Sequence, residues 1–553
     1  MKPRVPFPIA VLAVFAFFLA SSTAASAATT RWVNDPPNTY SPPGTSCTNP
    51  GYPTIGLAVA AAAPGDTIMV CPGLYAEQVQ VNKNNLTLLG AQAGVDARTR
   101  PFVPDPTTQS IIDHPCGPVQ FMADDLELNG FTVQGSTLPD PCFLAGIWSN
   151  PGFTGTNGGF KILYNIVQNN ISGIELDSNC NKSALVQFNL IQNNSNPGNG
   201  SGNGIQTNFG LCNGTIDKNK FSGHTSSSVL VLGPPATAFA SNIAVTNNEL
   251  VAPTPESIAF LGVSDSTISG NVSTGSTNNA TIDLFGGNSG VTVTGNTLLN
   301  GIRAIVVENP FSGFGVPPNS DITAHQNCIQ GNSVAGMEVD LLAYPTTPPL
   351  NAENNWWGSP TGPSNPSNPT GTGDRIIDPD NNVDFTPWLT TAPAGCPQVA
   401  NTPGKATGGG QIASDPTGLD VVLELATLLI KRSSNPMSVG AQATFGFVVT
   451  CCAPKGNLEY NDHEANVRIK ATSIETFVIS ASAVCLDGKH AQFKGQAQET
   501  TATDTHPVGF TVDVDDCAEP GSSPGVGPDM FMIQTVDYTA AGPLIGGNIQ
   551  IKN

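Results

Sequence analysis

Three short phrases place chemistry-bearing residues at one spacing: "GIWSN" from Gly146, "GIELD" from Gly173 and "GIQTN" from Gly204. If Ile147, Ile174 and Ile205 point inward, the two-residue alternation of an extended chain turns their neighbours outward. The outward set is Trp148 and Asn150, Glu175 and Asp177, Gln206 and Asn208. Stacked as adjacent strands about 4.8 Å apart, they make a polar shelf with one aromatic ring and two carboxylates. Such a shelf can hydrogen-bond a polyhydroxylated ligand or hold Ca²⁺, which takes roughly six to eight oxygens. An ordinary solvated face is the plainer reading of the same residues; binding comes next and catalysis last. Further on, the corresponding positions turn apolar (Leu230 and Leu232, Ala259 and Leu261), and Glu338 and Asp340 form a second outward pair.

Other candidates carry less. Lys161, Lys182 and His224 are possible bases, but no spacing fixes them near Glu175. Asp124 and Asp125 in "MADDLEL" read as a turn. The acidic "DVDDCAEP" (Asp513, Asp515, Asp516) is a weak Ca²⁺ candidate without the EF-hand glycine and glutamate offsets, and it too reads as a turn. The six histidines show no metal-ligand spacing, so no cofactor is expected beyond a possible Ca²⁺.

The elements that must hold these side chains announce themselves by repetition. An apolar residue, two further residues, Asn, one or two residues and another apolar residue recur around Asn165, Asn189, Asn219, Asn248, Asn271, Asn296, Asn327 and Asn355. The intervals are 24, 30, 29, 23, 25, 31 and 28 residues, a period that signals a solenoid. Between them run short alternating strands: "GIWSN", "GIELD", "GIQTN", "SVLVL", "SIAFL", "TIDLF", "AIVVE", "GMEVD". Two or three strands per period and no helical run give a parallel β-helix whose coils need their neighbours for stability. The recurring Asn suits a sharp corner, because Asn tolerates left-handed φ. Stacked in register, its amides can bond from coil to coil. Eight repetitions mark these asparagines as structural.

From about residue 30 to 390 the chain resembles the right-handed parallel β-helix repeat family of pectin-lyase-like fold. "TIGLAVAAAAPGDTIMVCPGLYAEQVQV" is similar to that family's opening, which implies a short capping helix before the first coil. The Ala-rich stretch is good helix material, and a first coil left uncovered would invite strand pairing. "NWWGSPTGP…VDFTPWL" resembles the family's closing segment, with Trp356, Trp357 and Trp388 over the last coil. Adjacent exposed tryptophans could instead stack on sugars. The lid is the better reading, and it expects at least one of Trp356 and Trp357 to be buried.

After a Pro/Gly linker the Asn phrase disappears. Alternating strands such as "ATFGFVV", "TFVISASAV" and "GFTVDVDD" predict a small antiparallel sandwich or barrel. "GGGQI", "FGF", "GNLEYNDH", "DVDDCAEPG" and "GGNIQI" resemble the post-COAP domain of secreted bacterial proteins. "TGLDVVLELATLLIKRSSNP" departs from it and reads as an inserted helix. The expected organisation is a signal peptide (1–27), a β-helix (28–390), a linker (391–404) and an antiparallel β domain (405–553), an all-β chain.

The first residues combine Lys2 and Arg4, an apolar run too short to span a bilayer and a small-residue cleavage site, as in secretory signal peptides. Twelve cysteines fit an oxidising compartment. Proximity suggests Cys47–Cys71, Cys116–Cys142 and Cys180–Cys212, while Cys451 and Cys452 are poorly placed to bridge each other. The 21 basic and 42 acidic residues, net −21, argue against nucleic acid or an anionic membrane as partner. The fold family includes polysaccharide lyases, hydrolases and esterases, so fold alone does not choose. "SGHTS" at His224 and "VRIKA" at Arg468 are the nearest fragments of a hydrolase set, and no set is complete. The expectation is a secreted or cell-surface protein that binds a polysaccharide or the cell envelope without defined catalysis. The alternative is a lyase or hydrolase of an acidic polysaccharide using Glu175 and Asp177.

Overall fold

In a computed structural model the described residues are 27–552, apart from 36–38, 102, 139–141, 143, 152–155, 209, 234–239, 252–255, 277–278, 310–315, 398–402, 414–441, 452–453, 483–484, 486–487 and 518–527. The signal peptide, the helix expected around 417–436 and the expectation for Cys452 lie outside them. From Thr30 to Asp384 the chain winds as a parallel β-helix with three faces, sheets of 15, 10 and 11 strands. One coil shows the pattern. Lys161–Leu163 lies on the first face, Ile166–Gln168 on the second and Ser172–Glu175 on the third; Ala184–Gln187 then returns to the first. Adjacent coils pair in register: Ile162 with Val186, Val167 with Ile191, Ile174 with Ile205. All six side chains are fully buried in one core running from Val33 to Phe385. Strict alternation explains this, since every second residue of each strand meets the axis.

The corner between the first and second faces carries the asparagines. Asn165 N–H donates to Asn189 Oδ1 (2.8 Å), Asn189 to Asn219 (3.0 Å) and Asn219 to Asn248 (2.9 Å). Asn248, Asn271 and Asn296 each donate to the next Asn in the series at 3.0 Å, and Asn327 donates to Asn355 at 2.9 Å. The ladder Asn does not itself take the left-handed φ that the sharp corner needs. The left-handed residue is the one before each Asn: Tyr164, Phe188, Lys218, Asn247, Gly270, Gly295, Gln326 and Asn354, with φ between 53° and 65°. The ladder Asn turns its amide into the corner to satisfy main-chain groups, and its neighbour makes the bend. Other corners carry shorter ladders, Asn170 to Asn194 and Asn288 to Asn319.

Both ends are covered. Helix Ile55–Ala61 buries Ile55, Ala58 and Val59 on the first coil. Thr54 Oγ1 accepts from Leu57 N, and the Glu77 carboxylate accepts from Ile55 N and Gly56 N at 2.7 and 2.9 Å. At the far end the two tryptophans part company. Trp357 is 0% exposed inside the main core, with Trp388 packed against that core. Trp356, 8% exposed, packs with Cys328 and Cys396 and donates to Gln330 Oε1 at 3.0 Å.

Lys405–Lys552 forms a nine-stranded antiparallel sheet that curls around its own core, which holds Tyr460, Phe493, Phe510 and Phe531. It docks on the last β-helix turn. Lys494 Nζ meets the buried Asp374 carboxylate at 3.1 Å, Arg375 Nη2 donates to Val536 O at 2.9 Å, and Gly509 N donates to Pro369 O at 2.8 Å. Disulfides join Cys47–Cys71, Cys116–Cys142, Cys180–Cys212, Cys328–Cys396 and Cys485–Cys517. No helix among the described residues is long and apolar enough to cross a membrane.

Candidate functional site

The third face brings Trp148, Glu175 and Gln206 into direct register on consecutive strands. Gln120 precedes them, and Leu230, Ala259, Asp283, Val306 and Glu338 continue the column. Asn150, Asp177 and Asn208 lie two residues further along the same coils. The face is not the open shelf that alternation alone suggests. Glu175 is 2% exposed, Asp177 0% and Gln206 7%, and Trp148 and Asn150 are also buried; Asn208 is half-buried. A rung insertion folds over this part of the face. Gly200 passes so close that a Cβ there would stand 2.8 Å from Gln206 Nε2, and Asn203 Nδ2 donates to Gln206 Oε1 at 2.7 Å. Glycine permits that approach. Gln80 and Met122, toward the N-terminal end, remain exposed.

Under this roof the polar groups satisfy one another. Glu175 Oε2 accepts from Gln206 Nε2 at 2.5 Å and Oε1 from Asn208 Nδ2 at 2.6 Å. Asp177 Oδ1 accepts from Asn208 N at 2.9 Å, and Asn150 Nδ2 donates to Asp177 O at 2.8 Å. Burial, then repulsion from Asp177, holds the Glu175 carboxyl well above the usual carboxylate range. The two carboxyls are neighbours, and the like charge of Asp177 disfavours ionisation of Glu175. They do not flank a gap of roughly 5–9.5 Å, as the acid and its partner do in glycoside hydrolysis.

The expected bases lie elsewhere. Lys182 bridges Asp124 and Asp125 at 3.4 and 2.6 Å, and Lys161 faces Glu127. His224 is buried with Nε2 3.2 Å from Ile191 O, and burial pushes its pKa down to about 4. The Ca²⁺ candidates sit in strand Thr505–Asp516, not in a turn. Asp513 and Asp515 both reach His490, at 3.3 and 3.1 Å, while Asp516 Oδ2 accepts from Ile551 N at 2.8 Å, so the three do not converge.

Three further acids of the third face, Glu256, Asp283 and Glu308, join Asp340 in a second acidic group. Glu256, Asp283, Glu308 and Asp340 come from successive coils and repel one another. Burial first, then Glu308, Glu256 and Asp340, raise Asp283 well above the usual range. Asn279 Nδ2 bridges Asp283 Oδ2 and Glu308 Oε1 at 2.5 and 3.0 Å. "TIDLF" and "AIVVE" held the signal: Asp283 occupies the Glu175 position, and Glu308 the Asp177 position. Glu338 is paired with Arg303, and Asp340 accepts from Asn309 N. In the third-face strands Arg303 is the one Lys or Arg.

No protein-family model matches the sequence. No curated protein matches it either. Solved structures do. An alginate lyase from Paenibacillus sp. aligns over 60% of this chain and 95% of its own, with 14% identity and TM-score 0.30. A pectate lyase, Pel9A, aligns over 67% and 82%, with 10% identity and TM-score 0.34. A bacteriophage CBA120 tailspike domain aligns over 90% and 73%, with 11% identity and TM-score 0.32.

Proposed function

We propose that the chain is an exported β-helix protein that binds an extracellular polysaccharide or cell-envelope glycan on the outer side of its third face, with no hydrolytic or eliminating step assigned to it. The observation that carries this reading is the column of amides and carboxyls on consecutive coils, which repeats hydrogen-bonding groups at a fixed rise of about 4.8 Å. Gln80 Nε2 donates to Gln120 Oε1 at 3.2 Å, and Gln206 bonds Glu175 in the same column. Amides and acids suit sugar hydroxyls. The accessible part is the end marked by Gln80 and Met122, with Asn208 at the roof's edge.

Charge selects the ligand class. Carboxyls recur along the face and its strand cation, Arg303, is already paired, so a polyuronate would meet repulsion. The favoured ligand is a neutral glycan. An elimination on a uronate needs a base and a cation beside the sugar carboxylate, and the one Lys or Arg of the third-face strands, Arg303, is held by Glu338. The five disulfides between described residues fit an oxidising compartment outside the cytoplasm, in keeping with the expected signal peptide. The resemblance of the C-terminal sheet to the post-COAP domain agrees with that address. The test is a glycan array probed with the mature chain and a Met122→Ser/Asn208→Ala variant. Neutral-glycan binding that weakens at least tenfold in the variant supports the reading; binding equal in both would move the site off this face.

A further inference from the structure

A second cluster lies in the C-terminal sheet, at the tips of two neighbouring hairpins. Glu499 and His506 are directly opposed across the hairpin of strands Lys489–Thr500 and Thr505–Asp516. Asp537 comes from the turn between strands Met530–Gln534 and Thr539–Pro543. One ligand atom from each of the three lies within 4.8 Å of the other two. We propose that Glu499, His506 and Asp537 bind a divalent transition-metal ion of the Zn²⁺ type, clasping the two turns together.

The ring of His506 points to a ligand. Neither ring nitrogen of His506 reaches solvent or has a hydrogen-bond partner, which is costly for a buried polar atom. Glu499 is 1% exposed. Its Oε2 accepts from Thr535 Oγ1 at 2.6 Å. A carboxylate oxygen of Glu499 and an imidazole nitrogen of His506 thus lie within 4.8 Å of each other.

The surroundings suit a metal-bound imidazole. Asp504 Oδ2 stands 3.4 Å from His506 Nδ1, and Asp537 Oδ2 stands 3.5 Å from Nε2. A carboxylate behind one ring nitrogen orients the other toward a metal. One imidazole with two carboxylates favours Zn²⁺ and its neighbours over Ca²⁺, which prefers an all-oxygen shell. Two of the three ligands sit on a rigid antiparallel pair. Asp537, on a turn with half-exposed side chain, closes the site.

The test uses the mature full chain, stripped with EDTA, dialysed against Zn²⁺ and assayed by elemental analysis and thermal melting. The expected result is one Zn²⁺ per chain and a higher Tm with metal than without. Both effects are lost in His506→Ala and in Asp537→Asn and kept in His463→Ala. Asp537→Asn changes a turn residue, so it stays informative if His506→Ala does not fold. Zinc at background level in the wild-type chain overturns the proposal. So does full zinc loading and metal-dependent Tm in folded Asp537→Asn or His506→Ala.

Discussion

Replacing Asn248 with alanine tests the corner ladder at its middle. Asn248 Oδ1 accepts the Asn219 N–H at 2.9 Å, and its Nδ2 donates to Ile216 O and to Asn271 Oδ1, both at 2.9 Å. Asn271 Oδ1 keeps a donor after the change, because Asn248 N–H still reaches it at 3.0 Å. The Asn219 amide does not. It is buried, and alanine leaves it without an acceptor. An orphaned buried donor costs about 1–3 kcal/mol, and the lost bond to Ile216 O adds about 1 kcal/mol. The expected destabilisation is about 2–4 kcal/mol. The assay is urea unfolding followed by circular dichroism, read as a shift in midpoint at unchanged slope. Amide hydrogen exchange should locate the damage in the coils carrying Asn219 and Asn271, because solenoid coils contact only their neighbours. A loss below about 1 kcal/mol, or exchange that quickens evenly along the chain, would refute the ladder's energetic role.

Three further outcomes follow from the same geometry. Burial opposes the charge on His490, but hydrogen bonds and attraction from Asp513 and Asp515 outweigh it and push its pKa up from 6.5 to about 10. A raised folded-state pKa gives stability that is complete below pH 6.5 and is lost as pH rises toward 10. Melting of the wild type should fall across that window, and His490→Gln should flatten the profile. Asp283 works with the opposite charge: its acid form is favoured by burial and by Glu308, Glu256 and Asp340, so stability present below its ordinary pKa is lost as pH rises through the folded value. Asp283→Asn should therefore melt higher than wild type at pH 8 and no higher at pH 4; equal melting at both would remove the repulsion. Lys494→Ala breaks the ion pair between the two domains, but Asp374 keeps the amides of Gly331 and Asn332. The expected loss is about 1–3 kcal/mol, seen as earlier melting of the C-terminal sheet.

The period of the Asn phrase made the coiled architecture legible, because a corner that must satisfy main-chain amides at each turn uses the same residue each time. The offset of left-handed φ to the preceding position was not legible. Both positions are often Asn, as in Asn247–Asn248 and Asn354–Asn355, and only the main-chain angles separate them. Trp148, Glu175 and Gln206 were correctly placed on one face by alternation, but their exposure was not. Alternation gives a direction, whereas the roof over Gln206 comes from a glycine-rich insertion that no period describes. Asp283 and Glu308 obey the same rule, but Leu230 and Ala259 interrupt the polar column ahead of them. Glu499, His506 and Asp537 meet through hairpin register and the packing of two turns, so their sequence spacing carries no metal signature.

The central claim, a glycan-binding third face selective for neutral polymers, is tested most directly by affinity electrophoresis of the mature chain through gels containing a neutral polysaccharide panel or polygalacturonate. Retardation by at least one neutral polymer, abolished in Met122→Ser/Asn208→Ala and absent with polygalacturonate, is the result predicted. Retardation by polygalacturonate, or mobility in every gel that the double substitution leaves unchanged, would contradict it.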